Sequence, residues 1–252
     1  MMKSALLALA LLVAAPAHAA AEDSFREGRW AEAAREGRAE ATVQSLIYAG
    51  RANLWLAGYE TTEKARAEAL IAAAERDFDA ALAKAPSNVD ARLQKAVAIG
   101  YRAKLAKSPG LAKDSRNRFV AIRDANPENP LAWSAVAGWH GGAVASLGGF
   151  MAGTVLGAKA SEFEAGFARV FQLAPRNPAY RTLYAIGLLD LTPRNAAKAS
   201  TALKGIETLP AADAFERSLR DQGARVAAAL AKGDAKAAQT LARRLSAFGT
   251  LA

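Results

Sequence analysis

Three prolines, Pro86, Pro127 and Pro175, restrict this chain more than anything else in it. Each closes the same pattern. A phenylalanine lies eight residues upstream (Phe78, Phe119, Phe167), an asparagine two downstream (Asn88, Asn129, Asn177) and an alanine ten downstream (Ala96, Ala137, Ala185). Proline lacks an amide hydrogen and pushes the residue before it out of helical geometry, so the upstream helix must stop. The asparagine then accepts free amides of the next helix as its N-cap. Pro130 and Pro178 follow at the first helical position, where a missing donor costs nothing. Three corners built alike predict a repeated helix-to-helix joint.

Between the corners, apolar residues recur at three- and four-residue spacing and strand-like alternation is nearly absent. Further breaks are expected at Gly58, Ser108-Pro109-Gly110, Thr192-Pro193, Pro210 and Gly233-Asp234. The expected fold class is all-α, with about ten helices.

Residues 1–19 have the zones of a secretory signal in order. Lys3 is the positive start, Ala5 to Ala15 an apolar stretch too short to span a bilayer, and Ala17-His18-Ala19 a cleavage site. The expected location is therefore the periplasm or the exterior, with one domain over residues 20–252. The chain has no cysteine, so packing rather than disulfides must stabilise it there. Its net charge of +9 suits acidic proteins, anionic lipids or nucleic acid, and export makes the last the poorest fit.

The corners resemble the tetratricopeptide repeat family. Phe78, Ala81, Leu82 and Pro86 match the family's second helix in full. Phe119, Ile122, Arg123 and Pro127 match it in part, as do Phe167, Val170, Phe171 and Pro175. Trp133 stands where the family often places a tryptophan, and Gly28-Arg-Trp30-Ala-Glu-Ala33 and Gly233-Asp-Ala-Lys-Ala-Ala238 look like turns that open a second helix. The resemblance implies a short solenoid of antiparallel helix pairs. The family period is about 34 residues. Here the prolines are 41 and 48 apart, so the solenoid is expected to be irregular. A weaker resemblance, over roughly residues 88–190, is to the regulator of microtubule dynamics family, through Asn129-Pro130, Ala132, Gly138-Trp139 and the Phe167 to Pro175 helix. It bears on fold alone.

The longer interval holds a glycine-rich segment near residues 138–158. No fixed charge occurs between Trp133 and Ala158, and Gly149, Gly153 and Gly157 fall at four-residue spacing. Length alone would cross a bilayer, but glycine dilutes the apolar surface. The expectation is one long or broken helix packed closely on its neighbours through the missing side chains. An apolar groove for a lipid or other hydrophobic ligand, drawing on Phe150, Met151 and Leu156, is the alternative.

Chemistry has few carriers. With one histidine beyond the leader and no cysteine, sites needing a thiol or two imidazoles are excluded, and no phosphate loop or nucleophile elbow occurs. His140, beside Trp139, reads as a satisfied core residue. Glu75, Asp77 and Asp79, two apart on a helix, diverge and read as a solvated face. No catalytic, cofactor or metal site is assigned. The lopsided charge between Arg102 and Arg123 (seven cations against Asp114) instead suggests a docking patch, with no interleaved aromatics for nucleic acid.

The family's offsets imply a groove lined by Asp90, Leu93, Val97 and Tyr101, then Ala179, Thr182, Ile186 and Asp190. The candidate partner-binding residues are thus Leu93, Val97, Tyr101, Arg102, Lys104, Lys107, Arg116 and Arg118. The expected function is a non-catalytic interaction or scaffolding module of the cell envelope. Its partner would be an envelope or secreted protein that is acidic or presents an apolar helix, with peripheral membrane association as a further option. An apolar helix of this chain itself would suit the groove equally.

Overall fold

The computed structural model describes residues 20–251, and the expected leader, residues 1–19, lies outside them. The described residues are all-helical with no strand. In chain order the helices are α1 (Ala20–Glu27), α2 (Trp30–Glu40), α3 (Val43–Trp55), α4 (Lys64–Lys84), α5 (Val89–Ala106), α6 (Pro109–Ala125) and α7 (Pro130–Leu147). A single turn, α8 (Gly149–Met151), leads to α9 (Ala160–Leu173), α10 (Pro178–Leu191), α11 (Ala196–Ala202), α12 (Ala214–Ala231) and α13 (Ala235–Leu245). Short α1, α8 and α11 account for the excess over the expected ten.

The three corners share one geometry. The amides of Asn88, Asn129 and Asn177 donate to the carbonyls of Ala85, Asn126 and Ala174, closing the same tight turn each time. Each asparagine side chain then caps the next helix: Asn88 accepts from Ala91 (2.9 Å), Asn129 from Leu131 (2.9 Å) and Asn177 from Tyr180 (3.2 Å). Such a cap is worth about 1 kcal/mol over alanine. Gly58 is not a break. Helix α3 continues through it as a π turn, Leu56–Glu60, tied by Trp55 Nε1 donating to Glu60 Oε1 at 2.8 Å.

Phe78, Phe119 and Phe167 are buried, as are Ala96, Ala137 and Ala185. Consecutive helices apart from α8 and α9 pack on one another, and α3, α5, α7, α10 and α12 also touch in that order. The first helices of the described residues come together with α12. Phe25 of α1, Trp30 of α2 and Trp55 of α3 share a cluster with Ala214 and Leu219 of α12 and Ala179 of α10. Arg51 lies over the Phe25 ring, 4.4 Å from its centre, and 5.8 Å from that of Phe215.

Two local expectations change. Asp77 does not belong to a solvated face: it is buried between Arg38 and Asn53, whose donors reach it from α2 and α3. In the glycine-rich segment, close approach occurs at Gly141, where an added Cβ would meet the Phe163 ring at 2.5 Å. Around Gly149 and Gly157 there is open space, and Gly153 is only loosely approached. The stripe marks an exposed tip, in which α8 runs into a second π turn, Ala152–Leu156. Among the described residues no helix is long and apolar enough to cross a membrane.

Candidate functional site

The family-implied groove is largely filled by this chain. On α10, Ala179, Thr182 and Ile186 are buried. Helix α12 covers them so closely that a Cβ on its Gly223 would lie 2.3 Å from the Thr182 hydroxyl. On α5, Leu93 is fully buried among Phe119, Ile122, Ala132 and Val136, since that face carries α6 and α7. It offers no surface to a partner. Val97 is half-buried between the α4 and α6 sides.

Tyr101 marks where the filling differs in kind. Here the cover is not a helix but the tail beyond α13, residues 246–251. Phe248 and Leu251 join the cluster of Leu54, Ala57, Ile71 and Phe78. The Phe248 ring meets Tyr101 edge-on, with centres 4.8 Å apart. Main-chain bonds hold the segment. The Phe248 amide donates to the Gly58 carbonyl (2.6 Å), Lys104 Nζ donates to the Ala247 carbonyl (2.9 Å), and Thr250 Oγ1 donates to the Thr61 carbonyl (3.2 Å). Phe248 has φ +67°, a left-handed conformation that costs a bulky residue and is held by these contacts. The site therefore takes a short folded peptide: it offers an aromatic contact and a carbonyl acceptor to a segment in tight turns, in which the Gly249 amide donates to the Ser246 carbonyl (2.8 Å) and the Leu251 amide to that of Phe248 (3.3 Å).

Its electrostatics follow from burial. The Tyr101 hydroxyl faces that of Tyr59, and desolvation pushes the first well above the usual phenol range and the second above it. Both stay protonated. Lys104 is an exposed residue whose ammonium donates to the tail; desolvation lowers its pKa and Asp190 opposes the fall.

Behind the tail lies a half-open cavity of about 360 Å³, lined by Tyr59, Gln222, Arg225, Arg244, Ser246 and Thr250 among others. Neither Arg225 nor Arg244 forms an ion pair among the described residues. The Gln222 Oε1 atom is buried without a donor. Two guanidinium groups that form no ion pair among the described residues suit a carboxylate.

The other candidates scatter. Arg102 pairs with Glu75 on α4 (3.0 Å), and Lys107 ends α5 in a left-handed cap. Arg116 lies over Trp139 at 5.4 Å, and Arg118 pairs with Asp114 along α6 (3.0 Å). Of the eight, Tyr101 and Lys104 contact the tail directly, and Val97 shares its cluster. Sequence reasoning missed Tyr59, Gln222, Arg225, Arg244 and Phe248. The four-residue step from Trp55 to Tyr59 was the one available signal, because their rings stack at 4.4 Å.

His140 is buried, and its Nδ1 accepts the Lys159 amide at 3.2 Å. Desolvation, aided by Arg116, lowers its pKa below the ordinary 6.5. As pH falls below that value the unfolded chain takes the proton first, so stability present above pH 6.5 declines as pH drops through the folded value. Denaturation midpoints at pH 7.5 and 5 should show this loss, and His140→Gln should flatten it.

Among the comparisons with known proteins, no family model matches the chain and no curated protein matches it significantly.

Proposed function

We propose that the chain is a non-catalytic interaction module of the cell envelope, built as a short, tightly curved solenoid of tetratricopeptide-like helix pairs. Three corners with one turn and one cap support the repeat, as does the ordered contact of α3, α5, α7, α10 and α12. The return of α12 onto α1 makes the curvature tight.

One observation carries the binding role: the face at Tyr101 already holds a turn-forming segment, through an aromatic anchor and hydrogen bonds to main-chain carbonyls. A partner segment with an aromatic side chain, and an acidic group for Arg225 and Arg244, would take the same place once the tail leaves. The partner would then bind more weakly by the fraction of chains whose tail is displaced. A hydrophobic ligand at the glycine-rich segment has less support. Ala152, Leu156 and Ala158 there are already packed against Ala112, Trp139 and Val144.

A chain ended after Ser246 should keep its helical spectrum and bind a labelled peptide spanning residues 247–252 saturably in an anisotropy titration. Changing Phe248 to alanine in that peptide removes an aromatic pair and buried ring surface, and should weaken binding at least tenfold. In cells, a photo-crosslinker at Tyr101 of the shortened chain should give a discrete adduct with another envelope protein. A folded, shortened chain showing neither saturable binding nor an adduct would end the proposal.

A further inference from the structure

Leu147, Phe150 and Met151 are the large apolar side chains that stand exposed among the described residues, and all three lie in one tip between α7 and α9. Phe150 is 83% exposed, which a residue of its size reaches only when it projects clear of the surface. We propose that this tip is a membrane-surface anchor, inserting shallowly between the headgroups of an anionic lipid leaflet. It is separate from the Tyr101 face and does not depend on that assignment.

Four observations support the choice of a lipid surface. First, the tip is braced. Ala152, Leu156 and Ala158 are buried against Ala112 of α6 and Trp139 and Val144 of α7, and Trp139 Nε1 donates to the Ala112 carbonyl at 2.8 Å. The projecting side chains thus rest on a fixed base. Second, several backbone groups at the tip bond within it, as an apolar environment requires. The Gly148 carbonyl accepts from Ala152 (2.9 Å), that of Phe150 from Thr154 Oγ1 (3.0 Å), that of Gly153 from Gly157 (2.9 Å) and that of Ala152 from Ala158 (3.0 Å).

Third, the charge around it is complementary. No fixed charge occurs from Asn129 to Ala158. Beside the base cluster, exposed Lys113 follows Ala112 on α6, Arg116 lies over Trp139 at 5.4 Å, and exposed Lys159 follows Ala158 at the start of α9. Arg116 and Lys159 both act on the His140 imidazole beneath the tip. Of the neighbouring acids, Asp114 is paired with Arg118, leaving Glu162 as the opposing charge near His140. Fourth, size argues against a protein partner. A stable protein interface needs about 800 Å² from each side, whereas three side chains on a narrow turn present a point, of the kind that enters the boundary between headgroups and acyl chains.

The test is co-sedimentation of the chain with vesicles of phosphatidylglycerol and phosphatidylcholine in equal parts, beside vesicles of phosphatidylcholine alone. Binding is expected to the anionic vesicles and to decline as salt is raised. Phe150→Asp should weaken it at least tenfold, and Lys113→Glu about fivefold or more. Both sites are exposed, so the helical spectrum and melting temperature should stay unchanged. A folded chain that ignores both vesicles would overturn the proposal, as would equal, salt-independent binding to the two. Concentration-dependent self-association in sedimentation velocity, abolished by Phe150→Asp without any vesicle binding, would overturn it in favour of a second copy covering the tip.

Discussion

Phe78→Ala is expected to lower the unfolding free energy by about 3–5 kcal/mol, the range for truncating a fully buried aromatic. The measurement is the urea midpoint at constant slope. Phe78 has no exposed surface and sits among Leu54, Ala57, Ile71 and Ala98, where α3, α4 and α5 converge. Its ring occupies the place of a side chain on α3: a Cβ on Gly50 would come within 2.3 Å of it. Gly50→Ala alone should therefore be costly, because the ring must move within a packed core. In the Phe78→Ala background the added methyl enters the vacated space. The two costs should fall short of additivity by about 1 kcal/mol or more. Strict additivity would mean that the ring does not fill the α3–α4 crossing. The consequence reaches the face at Tyr101, since the π turn bearing Gly58 and Tyr59 continues directly from α3.

What could be read in the sequence was what local chemistry encodes. Phe78 and Ala96 were legible because helical period and a proline corner lie within a few residues of each other. The Asn88, Asn129 and Asn177 caps were legible because donor and acceptor are at most three residues apart. Gly58 misled for a physical reason: glycine ends a helix when it takes positive φ, but here it allows Tyr101 to come close to an unbroken π turn. The stripe at Gly149, Gly153 and Gly157 misled in another way. Four-residue spacing places missing side chains on one face without saying whether anything comes to meet them. The tail was beyond reach altogether. Lys104 and the Ala247 carbonyl are 143 residues apart, and nothing local to either forecasts their meeting. The same holds for the return of α12 onto α1, and for Arg225 and Arg244 meeting Tyr59 around one cavity.

Asp77→Ala should cost about 2–4 kcal/mol, although the residue touches no partner-binding surface. Its carboxylate accepts Arg38 Nε (2.7 Å) and Nη2 (2.8 Å) from α2 and Asn53 Nδ2 (3.0 Å) from α3, with Asp77 5% and Asn53 4% exposed. One side chain on α4 thus fastens three helices. Alanine would leave the buried Asn53 amide without an acceptor. The Arg38 guanidinium is the lesser loss, since its side chain is 45% exposed and can turn to water. Most of the cost should therefore trace to Asn53. Asp77→Asn keeps an acceptor oxygen and should cost about half as much. Replacing Arg38, Asn53 and Asp77 together by apolar residues of similar volume should recover much of the loss, because no polar group is then left buried and unpaired. The wild-type advantage should also survive 0.5 M salt, unlike that of an exposed pair. Chemical denaturation of these three variants beside the wild type gives the answer, and a change under 0.5 kcal/mol for Asp77→Ala would refute the joint. If the joint holds, loosening it should also free the π turn beyond Asn53, so that amide exchange quickens at Gly58 and Phe248 before it does in α10.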